Sequence, residues 1–166
     1  MRIFGVDPGT AIVGYGVIDQ EGSKLIPVDF GVIRTPPNLP CYRRLALVHQ
    51  EVTEKIRCYR PEIMAIEELF FNKNTRTALS VGEARGVIML AAAEADLPVE
   101  EYTPLQVKMA VVGYGRAQKG QVQEMVKLLL GLTKIPKPDD AADALAIAIC
   151  HAHSRRNPLV RKGEGY

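Results

Sequence analysis

The stretch Arg2-Ile-Phe-Gly-Val-Asp7-Pro-Gly-Thr10 decides how the rest of the chain is read. Ile3, Phe4 and Val6 form a short apolar run that stops at an acid and then at a turn. Such a run marks a buried central strand, and the end of such a strand is where a sheet presents functional groups. A carboxylate there is costly unless it holds a metal, a proton or a cationic partner. Gly9 lets another group approach closely. On this stretch alone two readings stand side by side. Asp7 opens an ordinary Asp-Pro-Gly-Thr turn, or it is a site residue.

The remaining totals bound the answer. A chain of 166 residues, 47% apolar and 24% charged, is one ordinary globular domain with room for a real core. No apolar run approaches the length of a membrane span, and no basic-then-apolar leader opens the chain, so a cytoplasmic protein is expected. Cys41, Cys58 and Cys150 are odd in number and far apart, which argues against a disulfide framework and a thiolate zinc site. The net charge of +2 is small, but its distribution is uneven. Between Pro104 and Lys137, Lys108, Arg116, Lys119, Lys127, Lys134 and Lys137 face only Glu124. The tail adds Arg155, Arg156, Arg161 and Lys162. A basic half is compatible with a polyanionic partner, and equally with a solvated basic surface.

Read in order, Ile12–Ile18 is a strand hairpinned back on the first, and Leu25–Ile33 a third strand that Pro27 places at an edge. Leu45, Val48, Val52 and Ile56 recur at helical spacing between Tyr42 and Tyr59. Ile63-Met-Ala-Ile66 is a second buried strand that stops at acids, Glu67 and Glu68. A loop follows with Phe70, Lys73 and Arg76, then a long helix over 77–95 whose glycines leave room for close packing of a helix or a subunit. A short strand over 98–102 leads to a helix that Pro104 opens. Another helix covers Lys119–Leu130, with Gly131 as its stop. The last helix begins at Asp139 or Asp140 and runs to about His153. One of these two acids is expected to be its cap. Asp143 shares a helical face with either. His151 and His153 are two apart and point in different directions, so they read as helix-end residues complementing the dipole. No internal repeat or second-domain boundary is visible. The expectation is a single domain over 1–156 and a basic, flexible tail over 157–166.

Three acidic stations result: Asp7, Glu67, and Asp140 with Asp143. If the two acid-terminated strands are neighbours, Asp7 and Glu67 emerge at one sheet edge. A helix starting at that edge completes a four-carboxylate cluster. Oxygen donors without histidine or cysteine suit magnesium or manganese. A pair of such ions can activate water and stabilise the leaving oxygen of a phosphodiester, with no protein nucleophile. Neither a Walker-type phosphate loop nor a Gly-x-Ser-x-Gly elbow is present.

At these residues the sequence resembles a known family. Asp7-Pro-Gly-Thr with Gly14-Tyr-Gly-Val17, Ala65-Ile-Glu67 with Phe70, Gln106-Val-Lys108, Gln118-Lys-Gly-Gln-Val-Gln123 and Asp140-Ala-Ala-Asp-Ala-Leu-Ala-Ile-Ala148 are similar to the RuvC family of bacterial Holliday-junction resolvases. The five blocks run in order over about 1–154. The resemblance implies an α/β, RNase H-like fold: a five-stranded mixed sheet, its first three strands antiparallel, flanked by helices. It implies a magnesium-dependent homodimer that nicks two symmetry-related strands of a four-way DNA junction, leaving 5′-phosphate and 3′-hydroxyl ends. The branch-migration proteins RuvA and RuvB are the family's partners. Carried over by position, Asp7, Glu67, Asp140 and Asp143 are the ligands of two Mg2+, for which Mn2+ substitutes. Asp139 then becomes the helix cap. Lys108 and Lys119 match lysines near the scissile phosphate, and Phe70 matches an aromatic that contacts unpaired bases. Lys73, Arg76 and Arg116 are expected to bind DNA. Two rivals from other classes stand against this. An actin-like nucleotide-binding phosphotransferase asks for a second glycine-rich phosphate loop, where this chain has Asp140-Ala-Ala-Asp143. A non-catalytic junction-binding module would lack one of the four acids.

Overall fold

The pleat of the first strand sorts its residues between two faces. In β1 (Arg2–Asp7), Phe4 and Val6 enter one apolar cluster, and Ile3 enters the other. Asp7 has the parity of Ile3 and Gly5. The computed structural model describes residues 1–69 and 75–155, with the backbone alone for 75–77. The candidate DNA contacts Phe70 and Lys73, the side chain of Arg76, and the proposed tail lie outside the described residues.

β1 pairs antiparallel with β2 (Ile12–Glu21), and β2 with β3 (Lys24–Arg34). β4 (Ile63–Glu67) lies parallel to β1, and β5 (Val99–Tyr102) parallel to β4. The sheet order is β3-β2-β1-β4-β5. This is the expected mixed sheet, and Pro27 does stand on an edge strand, where its missing N–H costs no ladder bond.

Among the described residues five helices cover the two faces. α1 (Cys41–Tyr59) and α2 (Thr75–Glu94) pack together, and Val48, Val52, Ile88, Ala91 and Ala92 join the cluster of Phe4 and Val6. α3 (Pro104–Val112), α4 (Lys119–Leu129) and α5 (Asp139–Ser154) cover the other face. α5 crosses β1 and β2 and is buried over most of its length. Its close seat depends on glycine. A Cβ on Gly5 would collide with the Ala144 carbonyl oxygen, and one on Gly14 with that of Asp140.

One reading of the last helix needs correction. Pro138, not Asp139, occupies the cap position, and no side chain caps this end. Asp139 is instead drawn outward by Lys137 Nζ, 2.9 Å from its Oδ1. It still stands in the first turn, where an acid complements the helix dipole. His151 stands in the last turn, as expected of a helix-end residue. It is buried, its ring edge-on to Tyr102, with Nδ1 2.8 Å from the Tyr102 hydroxyl. His153 Nδ1 donates to the Ala110 carbonyl at 2.8 Å. The two imidazoles tie α5 to β5 and α3.

Candidate active site

The parallel register of β1 and β4 brings the first two acids to one level. Val6 is opposite Ile66, so Asp7 and Glu67 follow side by side at the end of adjacent strands. Parity then sends both to the α5 face, since Ala65 and Ile3 lie in the cluster that α5 builds. The first turns of α5 supply the other two. Asp143 joins Asp7 and Glu67 in the lining of one open cavity of about 210 Å³. Asp140 is not among the residues lining that cavity; its carbonyl lies over Gly14, and its charge acts on both Asp7 and Asp143.

Two lysines complete the wall. Lys108 projects from α3, whose start is set by Pro104 and by a reciprocal cap: Gln106 N–H donates to Thr103 Oγ1 at 3.1 Å, and Thr103 N–H donates to Gln106 Oε1 at 2.8 Å. Lys119 is the first residue of α4, where the Gln118 N–H donates to Gln121 Oε1 at 2.8 Å. A cation at a helix N-terminus is unfavourable. It is offset here by Asp143, whose Oδ2 is 2.9 Å from Lys119 Nζ, and by Asp139 at 3.6 Å. Arg116 is exposed on the link between α3 and α4, outside the cavity lining. Glu68 points away from the group, exposed, its N–H bound to the Tyr102 carbonyl.

The electrostatics are those of an acid cluster short of positive charge. Burial, then repulsion from Glu67, Asp143 and Asp140, pushes the Asp7 carboxyl up to about 8, against a smaller pull from Lys119. Burial followed by the Asp143 charge raises Glu67, with Lys108 opposing. Burial also raises Asp143, although the Lys119 ammonium pulls it down. That ammonium is itself held protonated, first by its hydrogen bond to Asp143. The donor set is all oxygen and suits a hard divalent cation. Among the described residues no three acid, histidine or cysteine side chains are gathered closely enough to hold an ion as they stand. Lys119 covers Asp143 in this arrangement.

The side chains of Pro104, Val107, Val122, Ala146 and Ile147 form the apolar part of the wall, to which sequence reading assigned no role in the site. Arg85 was also missed. Its Nε donates to the Glu67 main-chain carbonyl at 3.3 Å. No periodicity or motif announces a bond from a helix to a strand carbonyl.

The strand order and the acid-terminated parallel pair define an RNase H-like fold with its acidic edge closed by the last helix. The family model of crossover junction endodeoxyribonuclease RuvC matches residues 3–151. The RuvC of Desulfitobacterium hafniense is 62% identical over 154 residues, covering 93% of each chain. That of Brevibacillus brevis is 59% identical over 163 residues, 98% of each. The solved structure of T. thermophilus RuvC in complex with Holliday junction substrate matches with a TM-score of 0.90 at 41% identity, covering 94% of this chain and 95% of that one. The yeast mitochondrial resolvase Ydc2 shares the fold, with a TM-score of 0.63 at 15% identity. The chain belongs to the RuvC family of crossover junction endodeoxyribonucleases.

Proposed function

We propose that the chain is a metal-dependent endonuclease that resolves Holliday junctions. The observation that carries this reading is the convergence of Asp7, Glu67 and Asp143 with Lys108 and Lys119 in one cavity, in a chain of this family. Asp7, Glu67, Asp140 and Asp143 would hold two Mg2+, for which Mn2+ would substitute. Bound there, such ions would supply an activated water and Lewis acidity toward the leaving oxygen. The oxygen of water adds to phosphorus, the P–O3′ bond breaks, and a proton passes to O3′. A 5′-phosphate and a 3′-hydroxyl result. The carboxylates bind only when ionised, so the raised acids release protons as they take up metal. Lys119 neutralises Asp143 until then, and with Lys108 offsets charge building on the phosphate.

Phe70, Lys73, Arg76 and Arg116 are the residues we propose to contact the junction DNA. A homodimer pairs two such sites on opposite strands of the junction, and RuvA and RuvB act with it. The outer face of α2 supports the homodimer. Leu79 and Leu90 are exposed there, on one stripe with Gly86, over which the surface is open.

The test compares nicking of an immobile synthetic four-way junction with nicking of linear duplex. In magnesium the wild type is expected to nick the junction in symmetrical pairs and to spare the duplex. Asp7→Asn is expected to lose at least about a thousandfold in rate while still shifting the junction on a gel. Wild-type rates from Asp7→Asn would reject the carboxylate cluster as the active centre.

A further inference from the structure

We infer that Arg85 is a positioning residue for Glu67, acting from the face of the sheet opposite the acids. The inference rests on the endonuclease reading, because the placement of Glu67 matters only if the acidic cavity is the active centre. Arg85 lies on α2, which packs through Ile88, Ala91 and Ala92 on the Phe4 face. Its Nε donates to the main-chain carbonyl of Glu67, and its Nη2 pairs with the carboxylate of Glu101 on β5. One planar fork thus grips the ends of two neighbouring strands.

An ordinary surface ion pair joins two mobile side chains and does little. This one differs on two counts. The Arg85 side chain is only 16% exposed, and one of its acceptors is the backbone of the residue that carries the chemistry. A main-chain bond cannot follow a rotamer change, so the guanidinium constrains where the Glu67 backbone stands. Only arginine offers several donors in a rigid plane, and lysine is a point charge.

The same helix holds the other acid-bearing strand. Three residues past Asp7, the Thr10 hydroxyl donates to the Ser80 carbonyl at 2.7 Å and lies 2.5 Å from the Ser80 hydroxyl. The Thr35 hydroxyl donates to the Thr10 carbonyl at 2.6 Å and accepts from Arg44 Nε at 2.8 Å. α2 is therefore fastened behind both strand ends, to β1 through the Thr10 turn and to β4 through Arg85. The separation of Asp7 and Glu67 is set from behind the sheet, by a helix whose described side chains do not line the cavity.

Arg85→Lys keeps a charge for Glu101 and gives up the fork. Four quantities are read on one preparation: single-turnover nicking at saturating junction, junction affinity by gel shift, the magnesium midpoint, and the rise in melting temperature that magnesium produces. The expected signature is a nicking rate about tenfold lower, a higher magnesium midpoint and a smaller magnesium-induced rise, with junction affinity within about twofold of wild type. A purely structural arginine would lower melting and leave the rate and midpoint of the folded fraction alone. That result, or a wild-type rate, overturns the inference. Should Arg85→Lys fail to fold, Glu101→Gln decides, since that carboxylate is exposed. It is expected to lower the rate about threefold with melting unchanged; an unchanged rate overturns the inference. A wild type that binds junctions but never nicks them overturns the endonuclease reading and this inference together. Normal nicking with indifferent Arg85 and Glu101 variants overturns this inference alone.

Discussion

At the scale of single residues, the cavity is defined by charges that lack enough counter-charge. Asp7 is the extreme case, with its carboxyl pushed from near 4 up to about 8. A raised folded value means that the native state binds the proton more tightly than the unfolded chain. Stability of the metal-free protein therefore falls as pH rises from about 4 to about 8, as the native carboxyl is made to ionise. Glu67 and Asp143 are shifted in the same direction and add to the fall. Thermal melts across this window in EDTA are expected to show it, with Asp7→Asn flattening the profile by an amount on the order of a few kcal/mol. Magnesium is expected to reverse the fall, because it supplies the missing charge. A melting profile that rises with pH and ignores Asp7→Asn would contradict this electrostatic picture.

At the scale of elements, the seat of α5 against β1 and β2 delivers Asp140 and Asp143 to the strand ends. That seat is tight at Gly14, whose missing side chain admits the Asp140 carbonyl. Gly14→Ala is expected to push the first turn of α5 off the sheet, at a cost of about 1–3 kcal/mol, and to reduce nicking by more than that loss of stability explains. Denaturant unfolding alongside junction cleavage reads both, and normal cleavage with a normal midpoint would refute it. Much of this level was legible in the sequence. Asp7 and Glu67 stood out because apolar runs ended at acids, and Pro104 and Gly131 bounded helices where they were expected to. The cap of α5 was misassigned because the rule weighs only the side chain's taste for a helix start. Lys137, two residues before Asp139, competes for that carboxylate and wins. His151 does stand in the last turn, but its burial against β5 was not legible, because helix ends are usually wet. Arg85 and the Thr10–Ser80 clasp were invisible, since their acceptors are backbone groups or distant hydroxyls. Asp140 was separated from Asp139 by resemblance alone, as spacing allowed either.

At the scale of the whole molecule, one sheet divides labour between its faces. The α5 face gathers acids and two lysines into a cavity, and the α1–α2 face braces the strands that carry those acids. Chain order hides this arrangement. Asp7, Glu67 and Asp143 are far apart in sequence, and a parallel crossover from β1 to β4 brings the first two together. On the proposed function the cluster would close around divalent ions, with Lys119 leaving Asp143. The most direct test is anomalous diffraction from crystals soaked in Mn2+, with Asp7→Asn crystals treated identically. The account predicts manganese peaks bounded by Asp7, Glu67, Asp140 and Asp143 in the wild type, and their loss or marked weakening in the variant. Manganese bound elsewhere, or a cavity in which Lys119 stays on Asp143 and no ion enters at saturating concentration, would contradict it.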